Sequence, residues 1–171
     1  RERLRRLVLT VPGQKGVGID SVILFKETFE NTDEEGRNLV EHYLIGQGIQ
    51  AILKTDGGLS DPDQNREKVN KPAGLENLDI LLDAHIPFGI VGTKWRTLQF
   101  IDVTRNLPSN ENILANAKTQ AEAAVRTQAR TLVPMVEPEV DLTGTHDIAA
   151  SYEATVRTLQ ITFDELVKAG A

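Results

Sequence analysis

Four times along this chain a short apolar, β-prone run gives way to a polar loop and then to a helix-forming stretch, at intervals of about 35 to 45 residues. The runs are Ser21 to Phe25, Ile49 to Leu53, Phe88 to Val91 continuing into Lys94-Trp95-Arg96, and Leu132 to Glu137. The helical stretches are the stripe Leu39, Val40, Tyr43 and Leu44, a segment from about Leu75 to Ala84, an alanine-rich one from Glu111 to Arg130, and one from Asp147 to Ala169. Ser109 or Asn110 caps the third, and Arg1 to Thr10 reads as the last turns of a helix stopped by Pro12-Gly13. Strands alternating with helices require parallel strands joined by right-handed crossovers, hence an α/β sheet that is either open or closed into a barrel.

No glycine-rich turn follows the first strand, so a nucleotide-binding sheet is disfavoured. What recurs instead is charge just beyond each apolar run: Glu27, Lys54 with Asp56, Lys94 with Arg96, and Glu137 with Glu139. Polar groups gathered at the carboxyl ends of parallel strands are how a (β/α)8 barrel makes its active site. A complete barrel needs about 250 residues; with 171, and beginning on Arg1, this chain is expected to be a piece of something longer, one partial barrel domain over residues 1–171.

Within Thr131 to Glu139, strand alternation puts Val133, Met135, Glu137 and Glu139 on one face, and Pro138 is expected to end the strand. A carboxylate pair there calls for cations, and Lys54, Lys94 and Arg96 occupy matching places. Lys94 and Arg96 share a face while Trp95 turns away to pack, so anions must lie between the two cations; a phosphate or substrate site and a structural ion-pair cluster fit equally. Lys54 either pairs with Asp56 at the strand end or joins the same site. Glu137, Glu139 and Asp141 could instead hold a divalent metal. His146 is equally suited to a helix-terminal and a catalytic role, and His42 and His85 read as helix-surface or core residues.

A net charge of −6 argues against a nucleic-acid partner. The absence of cysteine excludes disulfides and thiolate zinc. No apolar run approaches membrane-helix length and RERLRR is not a signal peptide, so the expectation is a cytoplasmic protein with no membrane partner.

The stretches Ser21-Val-Ile-Leu-Phe-Lys-Glu-Thr28, Ile52-Leu-Lys-Thr-Asp-Gly57, Lys94-Trp-Arg96, Leu132-Val-Pro-Met-Val-Glu-Pro-Glu139 and Gly144-Thr-His-Asp147 together resemble the class I fructose-bisphosphate aldolases, in order and spacing. The resemblance implies an eight-stranded TIM barrel of which this chain holds the second to fifth strands, lacking the first and the last three. It implies reversible cleavage of fructose 1,6-bisphosphate to dihydroxyacetone phosphate and glyceraldehyde 3-phosphate through a lysine Schiff base, in glycolysis and gluconeogenesis. No metal or other cofactor is implied; the partner is a sugar phosphate, and the full-length parent is a homo-oligomer, tetramer or dimer. Catalytic roles fall by position on Glu137, as acid/base for carbinolamine formation and dehydration, on Lys94, and on Glu139, which holds the charge network; Lys54, Arg96 and Asp56 match substrate-contacting positions. Lys94 beside Arg96 would by itself suggest the nucleophile, but the resemblance puts the Schiff-base lysine on a later strand, so none is in this chain and the piece alone is expected to be inactive. Gly57 stands where many members have a second lysine, Lys26 where a histidine is common, and Thr93 where a smaller residue is usual. Two rival readings are a metal-dependent barrel lyase built on Glu137, Glu139 and Asp141, and a non-catalytic aldolase-like binding or scaffold protein.

Overall fold

The computed structural model describes residues 1–171. It contains α1 (Glu2–Leu9), β1 (Ser21–Leu24), α2 (Leu39–Tyr43), β2 (Gln50–Lys54), α3 (Pro72–Glu76), α4 (Leu78–His85), β3 (Ile90–Gln99), α5 (Asn110–Gln128), β4 (Val133–Val140) and α6 (Ile148–Ala169). The four strands form one parallel sheet in the order β1-β2-β3-β4. Each strand pairs with its neighbour in sequence, as in the wall of a barrel; a doubly wound sheet would reverse direction at a switch point.

The two faces of the sheet differ. Leu24, Ala51, Leu53 and Trp95 point outward into a core shared with Phe29, Leu39, Val40, Leu44, Leu78 and Leu82 from the surrounding helices. The opposite, inner face keeps Ile23, Val133 and Met135 solvent-accessible. Trp95 therefore packs away from Lys94 and Arg96, as alternation predicts. Behind β3 the packing is polar: Thr93 and Thr127 hydroxyls lie 3.0 Å apart, Gln120 Nε2 donates to the Trp95 carbonyl at 3.5 Å, and Asn116 Nδ2 donates to Gln99 Oε1 at 3.3 Å.

A register shift sits between Ala51 and Ile52, where β3 carries the extra residue Val91 between Ile90 and Gly92. That bulge resets the alternation, so Ile90 joins the outer core while Gly92, Lys94 and Arg96 turn inward. Two sequence expectations change, and a third, left between two residues, is decided. The segment from Leu75 to Ala84 is two short helices broken at Asn77, whose Nδ2 bonds back to the Ala73 carbonyl at 2.8 Å. The cap of α5 is Ser109, whose hydroxyl accepts from Asn112 N at 3.1 Å. Pro138 does not end β4, which runs to Val140. Asp141 N donates to the Gln99 carbonyl, so by alternation the backbone of Glu137 and Glu139 faces β3 and that of Pro134 and Pro138 faces away, where no ladder hydrogen bond is lost. No helix is long and apolar enough to cross a membrane.

Candidate active site

Parallel pairing puts Lys54 opposite Lys94, Lys94 opposite Met135, Arg96 opposite Glu137, and Leu98 opposite Glu139. These inward-facing positions lie toward the carboxyl ends of three adjacent strands, and the six residues singled out from sequence come together there. Their pairing is diagonal. Lys94 is paired with Glu137 and Arg96 with Glu139, the latter bidentately through the Nε and Nη2 of one guanidinium edge, with Nη2 donating to Oε1 at 2.9 Å. Lys54 is bonded to Asp56, and the same carboxylate accepts from the Arg96 backbone N–H at 3.2 Å, tying the β2 end to β3. The Lys54 ammonium also lies 5.5 Å from the centre of the Phe25 ring.

Burial is graded. The Asp56 and Lys94 side chains are nearly closed off, at 3% and 10% exposed, whereas those of Glu137 and Glu139 retain 39% and 34%. In the Lys94–Glu137 pair the anion faces the open mouth and the cation lies behind it, an order suited to a group that must exchange protons with a ligand; Arg96 and Glu139 are equally open. Arg96 holds the Glu139 carboxyl below its usual range, against the opposing pull of burial, and Glu139 in turn raises Arg96.

The metal alternative finds no support in this geometry: Glu137 and Glu139 are spent on Lys94 and Arg96, Asp141 accepts from Thr143 N and Oγ1 at 2.8 and 2.7 Å, and no three carboxylates or imidazoles converge. Glu27 lies outside the cluster, paired with Arg5 at 2.5 Å. His85 donates from Nδ1 to the Leu81 carbonyl at 2.8 Å and meets Phe29 edge-on, and Asp147 rather than His146 caps α6, accepting from Ala150 N at 2.9 Å.

Sequence reasoning missed the loop between β2 and α3. Asn70 Oδ1 accepts from Trp95 Nε1 at 2.9 Å, and its Nδ2 donates to the Arg96 carbonyl at 2.8 Å, so one buried amide fixes the backbone that carries both site cations. Nothing in the spacing flagged it; a lone Asn in a polar loop is the commonest of signals. The absence of a lysine at position 57 also has a cause. A Cβ there would meet Gly74 N and Cα at 2.7 Å, because the chain leaving β2 crosses the start of α3 backbone to backbone.

A family model described as glycolytic fructose-bisphosphate aldolase class-I matches residues 1–170. The probable fructose-bisphosphate aldolase class 1 of Xanthomonas axonopodis pv. citri (strain 306) is 35% identical over 166 residues, 97% of this chain and 48% of that protein. The fructose-bisphosphate aldolase of Encephalitozoon cuniculi (strain GB-M1) is 36% identical over 160 residues, 93% and 45%. Among solved structures, the fold is similar to fructose-bisphosphate aldolase from Plasmodium falciparum, crystallised as a ternary complex with TRAP and a small molecule inhibitor. The TM-score is 0.91 at 31% identity, over 99% of this chain and 48% of that one. The chain thus spans about half the length of the relatives it matches.

Proposed function

The chain belongs to the class I fructose-bisphosphate aldolases, and we propose that it supplies the second to fifth strands of an eight-stranded barrel that reversibly cleaves fructose 1,6-bisphosphate to dihydroxyacetone phosphate and glyceraldehyde 3-phosphate. The observation that carries this reading is the pair of adjacent bonds, Lys94 to Glu137 and Arg96 to Glu139, at the carboxyl ends of β3 and β4. In the proposed reaction an amine from a strand outside residues 1–171 adds to the substrate carbonyl, and the carbinolamine then loses its hydroxyl as water. Glu137 delivers the proton that makes that hydroxyl leave and takes it back in reverse. Its neighbour Lys94 steadies it in both states. Glu139 keeps Arg96 extended, and Arg96, Lys54 and Asp56 contact substrate, the two cations facing its phosphate and hydroxyl oxygens.

A role in glycolysis or gluconeogenesis, a cytoplasmic setting and a homo-oligomeric assembly, dimer or tetramer, belong to the same reading. The test is borohydride trapping with dihydroxyacetone phosphate, read by intact mass, on the full-length polypeptide bearing these residues and on residues 1–171 alone. A reduced triose adduct on the former only is the expected result. Labelling of the shorter chain would move the nucleophile to Lys54 or Lys94, and labelling of neither would remove the aldolase reading.

A further inference from the structure

β3 outruns β2. The last ladder bond between them runs from Thr55 N to the Lys94 carbonyl, at 3.0 Å, and β3 then continues to Gln99 although β2 has ended at Lys54. Alternate residues of a strand turn their backbone groups to the same neighbour, so the N–H and C=O of Arg96 point to where β2 would have continued. Side chains meet both. The Asp56 carboxylate accepts from Arg96 N at 3.2 Å, and Asn70 Nδ2 donates to the Arg96 carbonyl at 2.8 Å. Two side chains thus carry the ladder one step further, at the residue that stands opposite Glu137.

Asn70 is itself held from several sides. It is buried, and its Oδ1 accepts from Trp95 Nε1 at 2.9 Å and from Thr119 Oγ1 on α5 at 3.0 Å. An indole N–H can only donate, which fixes the oxygen end of the amide and leaves Nδ2 for Arg96. The loop that delivers Asn70 closes on itself: Leu59 and Asn70 form an antiparallel bridge, Ser60 N donates to the Val69 carbonyl at 2.8 Å, and Lys71 N donates to the Gly58 carbonyl at 2.9 Å. Farther out, Glu67 accepts from Ser109 N at 2.6 Å, and the Lys68 carbonyl accepts from Asn112 Nδ2 at 3.0 Å and Asn116 Nδ2 at 2.9 Å. One amide therefore joins the loop, β3 and α5, and its hydrogen bonds go to none of the charged side chains of the site.

We infer that Asn70 is a positioning residue for the proposed reaction: through the Arg96 carbonyl it holds the end of β3 where Lys94 meets Glu137. This rests on the aldolase reading and deepens it. Lys94 lies two residues before Arg96 on the same strand, so a tilt of the strand at Arg96 changes how Lys94 reaches across to β4. Proton transfer at Glu137 is steep in distance, whereas long side chains such as those of Lys54 and Arg96 follow a small backbone shift and keep their hold on an anion. Loss of the clamp therefore acts on turnover more than on binding.

The experiment measures kcat and KM for cleavage of fructose 1,6-bisphosphate by the full-length polypeptide and by two variants, Asn70→Asp and Thr119→Val, with a urea midpoint for each. Asn70→Asp keeps an oxygen for Trp95 and Thr119 but turns an acceptor toward the Arg96 carbonyl. It is expected to lower kcat at least about tenfold while KM changes less than about threefold. Thr119→Val removes a bond to the same amide and leaves Nδ2 on Arg96, so it is expected to lower the midpoint and keep kcat near its original value. An unchanged kcat in Asn70→Asp, a rise in KM as large as the fall in kcat, or an equal fall in kcat for both variants would overturn the role and leave the aldolase reading standing. Should Asn70→Asp fail to fold, hydrogen exchange across residues 58–71 of the unsubstituted protein decides: slow exchange at Ser60, Val69 and Lys71 is expected, and exchange as fast as in an open loop would overturn the clamp. No cleavage by the unsubstituted protein would remove the aldolase reading and this role with it.

Discussion

Arg96 has two attachments of different kinds: its side chain is held by Glu139 on β4, and its backbone is held by Asp56, just past the end of β2, and by Asn70 further along the same loop. The first is charge-dependent and the second much less so, which separates them experimentally. Glu139 has its folded-state pKa lowered, chiefly by the hydrogen bonds from Arg96. Its contribution to stability is therefore complete above the ordinary carboxylate range, about 4.3 for glutamate, and is lost as pH falls through the lowered folded value. Glu139→Gln is expected to cost about 1 kcal/mol at neutral pH, since both side chains are about one-third exposed. The difference from the unsubstituted chain should close as pH falls through the lowered value. Urea titrations at neutral and acid pH measure this, and a gap that widens in acid would contradict it. The inward-facing residues were legible in sequence because a period of two is local and unambiguous. Asn70 was not, because its importance lies in contacts 25 and 26 residues away.

At the scale of elements, the passage from β2 into α3 depends on two glycines stacked backbone to backbone. Gly57 meets Gly74, and a Cβ on Gly74 would also stand 3.0 Å from the Trp95 ring. Gly57→Ala must separate the loop from α3, and because Trp95 is buried beneath, the shift propagates to β3. The expected loss is about 2 to 4 kcal/mol, seen as a lower urea midpoint with an unaltered slope. A loss below about 0.5 kcal/mol would mean the crossing is loose. Element order was readable because each apolar run and helical stripe is punctuated by its own turn residues. The bulge at Val91 and the continuation of β4 through Pro138 were not. Both depend on what the neighbouring strand does, and a single run of residues carries no record of its partner.

For the molecule as a whole, the inner face of the sheet is as consequential as the core. Ile23, Phe25, Val133 and Met135 are 42%, 54%, 69% and 42% exposed, and β1 and β4 each have a neighbour on one side only. Apolar surface beside open strand edges drives association. Residues 1–171 on their own should sediment as oligomers at about 10 µM and above, and Val133→Lys combined with Met135→Lys should shift them toward the monomer. A monomer at all concentrations would show that the open face is harmless.

The order β1-β2-β3-β4 also has a kinetic meaning. Each of β2, β3 and β4 finds its partner in the unit immediately before it, so each pairing closes a loop of moderate length and none waits for a distant part of the chain. As the polypeptide leaves the ribosome, each new unit can dock on a ready-made template, in the manner of a stacked repeat. Fast-folding variants should then be sought at the joins between successive units, and a circular rearrangement that makes β1 wait for β4 should slow assembly far more than it weakens the finished sheet.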